Sequence, residues 1–358
     1  MNTTEGSAMA GMTNTTKPIQ PPARPGHRGW RALRGFARVA GIGFALIVGL
    51  ALAGASYEAI AARGDAQAYP PPGRLIDVGG YRLHLQCVGT GSPAVVLDAG
   101  LGDMSHAWNL VQTEMGQTTQ VCAYDRAGLG WSDPAPLPMT FEDRANDLHS
   151  LLAAADLTGP LILVGHSYGG YIVRTFTRLH PQQVAGIVLV EAAEEGYTFD
   201  PWGLTYAAAG RARERRTMWA ARLGLLRLCV RLFPTYCDPV KGVPPDARGE
   251  MTALYLRTSR HFAAADEMAA LEKVPQAMRK PGGFGTLRDV PLIVISQGSR
   301  DPTTSNPTQP EWLAGQRRLL GLSSRATHVV AEKSGHMVQF SEPQAIIEAI
   351  RRQWREER

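Results

Sequence analysis

The sequence predicts an α/β protein built on a mostly parallel sheet, and three observations carry that prediction. From Gly73 onward the chain alternates short apolar runs with amphipathic ones. Several of the apolar runs are continuous rather than alternating, as strands buried on both faces are. The segments between them change to helical periodicity.

The strand candidates are RLIDV, YRLHLQCV, AVVLDAG, VCAYD, LILVG, GIVLVE, PLIVISQG and THVVAE. The first two flank Gly79-Gly80 and read as an antiparallel hairpin at one edge. Thr140 and Asp143 form a capping box ahead of a helix with Ala145, Leu148, Leu151 and Leu152 on one face. Ser341 and Gln344 are expected to open a C-terminal helix that buries Ile346, Ile347, Ile350 and Trp354. Roughly residues 193–288 separate GIVLVE from PLIVISQG, far more than a strand connection needs. This stretch predicts a helical cap inserted after the sixth strand. It contains RARERRTMWAARLGLLRLCVRLF, whose arginines, with Leu223, Leu225, Leu226 and Leu228 nearby, read either as a solvated cap face or as a surface leaning on anionic lipid.

Ahead of the domain, residues 1–38 form a basic tail, expected to be disordered, with six cations against Glu5, and the rest of the chain balances to zero net charge. The basic balance therefore describes a tail and excludes the clustered domain charge of a nucleic-acid binder. Residues 39–57 contain no charge and are long enough to span a bilayer as a helix. The arginine excess before them predicts a cytoplasmic tail, a signal-anchor helix and an extracytoplasmic domain. A cleaved signal peptide is the rival, since Ala53-Gly54-Ala55 is an A-x-A site. Residues 58–72, ending in three prolines, are expected to form an extended linker to a domain at 73–358. Four cysteines make an even set, so pairing in an oxidising compartment and four buried thiols both stand. Cys229 and Cys237 lie eight residues apart, and no zinc-type spacing occurs.

Chemistry points to Ser167 in LILVGHSYGGYIV, where strand, G-x-S-x-G and helix follow one another. A serine needs exposure, a base and an acid that orients the base. The strained strand-to-helix turn supplies the exposure, and Gly165 and Gly169 the clearance. His336, in the loop SGHMVQFSEP after the last strand, is the candidate base. Asp301 in ISQGSRDP is the candidate acid, with Glu191 at the end of GIVLVE as its rival. The N–H of Tyr168 and that of Leu101 in LDAGLGDMSHAW are the candidate oxyanion donors.

These motifs together resemble the α/β-hydrolase superfamily in its capped serine-hydrolase branch: GHSYGG the elbow, DAGLGDMSHAW the oxyanion loop, YDRAGLGWSDP the turn after the fourth strand, GSRD the acid loop and SGHMVQFSEP the histidine loop. One departure is Ala99-Gly100 where many members have His-Gly, which leaves the side-chain support of that loop open. The resemblance implies the α/β-hydrolase fold with an eight-stranded sheet, and neighbouring second and fourth strands that would allow a Cys87–Cys122 disulfide. It excludes branches with an aspartate nucleophile. Asp125 and Arg126 are expected to form a structural ion pair. The implied activity is cleavage of a carboxylic ester or related acyl bond through an acyl-enzyme, with no cofactor and no metal, on a small acyl substrate that includes lipidic ones. The same triad would also serve a C–C bond, lactone or amide hydrolase, and an inactive membrane-tethered binding module is the reading from a different class.

Overall fold

The computed structural model describes residues 27–241, 243, 245–298 and 309–357. Eight strands form one sheet: β1 Arg74–Asp77, β2 Arg82–Val88, β3 Ala94–Asp98, β4 Val121–Tyr124, β5 Leu161–His166, β6 Val184–Val190, β7 Leu292–Gln297 and β8 Ala326–Ala331. Their order is β1-β2-β4-β3-β5-β6-β7-β8. β1 and β2 pair antiparallel, as β2 and β4 do, and every other pairing is parallel. All eight expected strands are present. The register sets Cys87 opposite Cys122, and the two are joined in a disulfide, as Cys229 and Cys237 are.

The helices are α1 His27–Ala68, α2 Asn109–Met115, α3 Phe141–Ala154 and α4 Gly169–Leu179, then α5 Glu195–Thr198, α6 Pro201–Arg222, α7 Leu225–Leu232, α8 Pro234–Cys237, α9 Pro245–Leu256 and α10 Thr258–Lys273 between β6 and β7. The chain closes with α11 Gln309–Leu319, α12 Val338–Ser341 and α13 Pro343–Glu356. Continuously apolar strands bury both faces of the sheet. Val96, Leu163, Leu189 and Val294 face one core with Leu148, Leu151 and Phe176. Val95, Leu97, Ile162 and Val188 face the other with Trp108, Ile346 and Ile350.

The cap is tied to the sheet domain by buried charge. Arg126 bonds Glu267 of α10, Arg144 bonds Asp266 of α10, and Arg174 bonds Glu195 of α5, at 2.6, 2.7 and 2.6 Å. Removing one partner of such a pair strands the other charge in the interior, which costs about 3–5 kcal/mol.

Four expectations are corrected. The linker at 58–72 is helical to Ala68, because AIAARGDAQA favours helix and the prolines begin only at Pro70. Residues 27–38 of the tail are helical as well, and residues 1–26 lie outside the described residues. Ser341 does not cap the last helix; it belongs to α12, its hydroxyl donates to the Met337 carbonyl, and Pro343 opens α13. Asp125 and Arg126 do not pair with each other. Asp125 bonds the buried His84 Nδ1 at 2.8 Å, while Arg126 turns to Asp98 and Glu267. The chain divides into two compact units, residues 1–53 and 54–358, so Gly54–Ala68 of α1 belongs with the sheet and cap.

Candidate active site

Ser167 follows β5 directly and adopts φ 51°, a left-handed conformation that non-glycine residues rarely take. The strain is held by hydrogen bonds on both sides. The Ser167 N–H donates to Val190 O at 3.1 Å, and the Ser167 carbonyl accepts from Gly170 and Ala193 at 3.0 Å each. The flanking glycines are sterically required. A Cβ on Gly169 would lie 2.6 Å from Asp98 O, and one on Gly165 would lie 2.8 Å from Gly169 O.

The loop after β3 packs against this turn. A Cβ on Gly100 would meet His166 Nδ1 at 2.9 Å and Ser167 Cβ at 3.5 Å, so the backbone ahead of Leu101 passes too close to this turn for a side chain. The loop is held by Arg126 and the cap as well as by Asp103 within it, whose N–H donates to Gly100 O at 3.1 Å. Arg126 donates to the carbonyls of Ala99 and Gly100 at 2.7 and 2.6 Å, and the Gly102 N–H donates to Glu267 Oε2 at 2.7 Å. Tyr168 stands at the N-cap of α4, where backbone N–H groups lack intrahelical acceptors.

His336 follows β8, and its Nδ1 lies 3.1 Å from Glu191 Oε2. Glu191 is fully buried at the end of β6 with φ 44°. The Gln297 N–H donates to its Oε1 and Trp312 Nε1 to its Oε2, each at 2.8 Å. Both donors can only donate, so the carboxylate accepts, and Nδ1–H of His336 supplies its third bond. In the neutral imidazole, that tautomer leaves the lone pair on Nε2. Asp301 lies outside the described residues.

His166, beside the serine, bonds the same loop as His336. Its Nε2–H donates to His336 O at 3.0 Å, and its Nδ1 accepts from Gln339 Nε2 at 3.4 Å. Burial, reinforced by the facing His336 ring, lowers its pKa to about 3, so it is a neutral strut. Nothing in the sequence separated it from an ordinary elbow residue, since its partner lies 170 residues away.

Ser167, His336, Gly100, Leu101 and Tyr168 line one cavity of about 740 Å³. The cap contributes Tyr197, Trp202, Tyr206 and Met268, and α11 contributes Trp312. Among the described residues no cluster of three His, Cys, Asp or Glu side chains could hold a metal ion.

The sequence profile of the Alpha/beta hydrolase family matches residues 95–349. The chain belongs to this family. Among curated proteins this hydrolase is 24% identical over 278 residues to the uncharacterized protein YqjL of Bacillus subtilis, covering 77% of its own length and 90% of YqjL. A 36% identical match to the probable transporter efuK of Hormonema carpetanum spans 133 residues, 35% of this chain and only 19% of that protein. Among solved structures, the esterase of Thermogutta terrifontis superposes with a TM-score of 0.57 at 20% identity, covering 79% of this chain and 97% of the esterase. The enol-lactonase of Burkholderia xenovorans LB400 gives 0.57 at 19% identity, covering 78% and 99%. These likenesses establish a shared fold.

Proposed function

We propose that this α/β hydrolase is a serine hydrolase that cleaves a carboxylic ester or a related acyl bond through an acyl-enzyme. The observation that carries the reading is the joint placement of Ser167 and His336 on one cavity, with the serine on a strained elbow and the imidazole backed by a buried carboxylate. His336 Nε2 takes the Ser167 hydroxyl proton as Oγ attacks the acyl carbon. The oxyanion of the tetrahedral intermediate is met by the N–H groups of Leu101 and Tyr168. The proton on Nε2 passes to the leaving alcohol as the C–O bond breaks. His336 then deprotonates a water that attacks the acyl-enzyme, and the acid leaves as Ser167 is regenerated. Glu191 is the group that holds the Nδ1 proton and stabilises the imidazolium. The aromatic cap residues support an acyl or alcohol moiety with substantial apolar surface.

We place the hydrolase at a membrane, with α1 as an N-terminal anchor and the catalytic domain on the extracytoplasmic side. The described chain has one helix long and apolar enough to span a bilayer, arginines precede its charge-free run, and both cysteine pairs are oxidised.

Ser167→Ala is expected to abolish hydrolysis of soluble p-nitrophenyl esters and labelling by a fluorophosphonate, with an unchanged circular dichroism spectrum. Undiminished turnover in that variant would overturn the mechanism.

A further inference from the structure

The geometry points to a lipid-docking surface on the cap: α7 and the turn behind it, from Leu225 to Tyr236, rest on the bilayer that α1 crosses. The proposal rests on the reading of α1 as a membrane anchor. Leu225, Leu228 and Leu232 are 55%, 43% and 58% exposed, and Phe233 and Tyr236 beside them are 57% and 90% exposed. The i, i+3, i+7 spacing puts the three leucines on one face, where a helix of a soluble domain would bury them. No residue of α7 is buried.

This helix is clamped to α1. On the side opposite the leucines, Arg227 forms a two-pronged pair with Glu58 at 2.8 and 3.0 Å and reaches Asp65 at 2.8 Å. The backbones meet closely beside it. A Cβ on Gly54 would lie 2.3 Å from Leu223 O, and one on Gly224, at φ 69°, would lie 2.8 Å from Gly54 O. The Cys229–Cys237 disulfide closes the turn that displays Phe233 and Tyr236.

The position of the clamp names the occupant. Gly54–Tyr57 is the last turn of the charge-free run, and Glu58 is the first charge after it. At a rise of about 1.5 Å per residue the contacts from Gly54 to Glu58 span about 6 Å of helix. The cap is thus fastened where the apolar run ends, which is where a bilayer surface falls. Arg222 and Arg231, at the end of α6 and on α7, are exposed and available to lipid phosphates while the apolar side chains enter the acyl boundary.

The test uses the full chain in vesicles of phosphatidylcholine and phosphatidylglycerol. Leu228→Cys and Tyr236→Cys carry an environment-sensitive fluorophore, with Arg352→Cys on α13 as the reference. Alkaline carbonate extraction is run in parallel. The expected result is a blue-shifted emission, quenched by acyl-brominated lipid, at 228 and 236 but not at 352, in a chain that resists extraction. Unquenched, water-exposed emission at 228 and 236 in a chain that resists extraction overturns the docking surface and leaves the anchor standing. A blue shift without lipid quenching, accompanied by cross-linking between copies, assigns the face to a second chain and also overturns it. Release by carbonate overturns the anchor and the docking surface together.

Discussion

Ser167 and Glu191 hold left-handed conformations, 51° and 44°, at the ends of neighbouring parallel strands, and each such residue costs about 1–3 kcal/mol. The surrounding hydrogen bonds sustain that cost at two linked positions, Ser167 lining the cavity and Glu191 buried behind the His336 that shares it. The consequence is a test of which acid serves His336. Glu191→Gln keeps the shape but offers an amide N–H to Nδ1, favouring the wrong tautomer, so kcat should fall by roughly 10³- to 10⁴-fold. Asp301→Asn should change it by no more than about threefold, about 0.65 kcal/mol. The reverse ranking in steady-state kinetics returns the role to Asp301. The sequence exposed Ser167 and His336 because each sits in a local pattern of strand, turn and helix. Glu191 was visible only as a rival, since a carboxylate at a strand end carries no signal of what lies across from it. His166 and Glu267 were invisible: their partners are 170 and 165 residues away, and pairwise contact at that range leaves no mark on spacing.

The elements themselves were legible where period and caps agree. The Thr140–Asp143 capping box forms as expected, with reciprocal bonds, and all eight apolar runs pair in one sheet. The boundaries of α1 and α13 were not, because proline and alanine preferences outweighed the composition of the surrounding segment. One contact between elements has a pH signature. The Tyr81 hydroxyl, following the β1–β2 turn, donates to Asp147 Oδ1 of α3 at 2.6 Å, and burial, partly offset by that hydrogen bond, raises the Asp147 pKa from 3.8 to about 6. The folded state therefore favours the protonated carboxyl. Its contribution to stability is full below pH 3.8 and is lost as pH rises through about 6. Asp147→Asn, which is neutral at every pH, should stabilise the domain at neutral pH by about 1 kcal/mol, a figure reduced because the site is only half-buried. Denaturant melts should show that gain shrinking toward pH 4. A gain independent of pH would contradict the assignment.

For the whole molecule, the division between the two units falls inside α1, after Ala53, and not at the prolines. Residues 54–69 are part of the catalytic body: Glu58 and Asp65 hold Arg227, and Trp131 Nε1 donates to Tyr69 O at 3.0 Å. A chain beginning at Gly54 should melt as one cooperative domain. One beginning at Gly73 strands the half-buried Arg227 and should melt roughly 5–10 °C lower, in line with the loss of a partly buried ion pair. Equal melting temperatures would show that the segment adds nothing to the body. The link between cap and oxyanion loop bears on how substrate gets in. Glu267 sits on α10, yet it holds both Arg126 and the Gly102 amide. Swinging α10 away would unseat a buried ion pair and slacken the loop that carries Leu101, so under the proposed mechanism lifting the whole cap would disturb the oxyanion donor each time it opened. A route past the exposed Trp202 and Tyr206 at the start of α6, which line the cavity, would leave α10 in place. On that route the cap stays fixed, and the stacked rings of Trp202 and Tyr206 set what passes beside them.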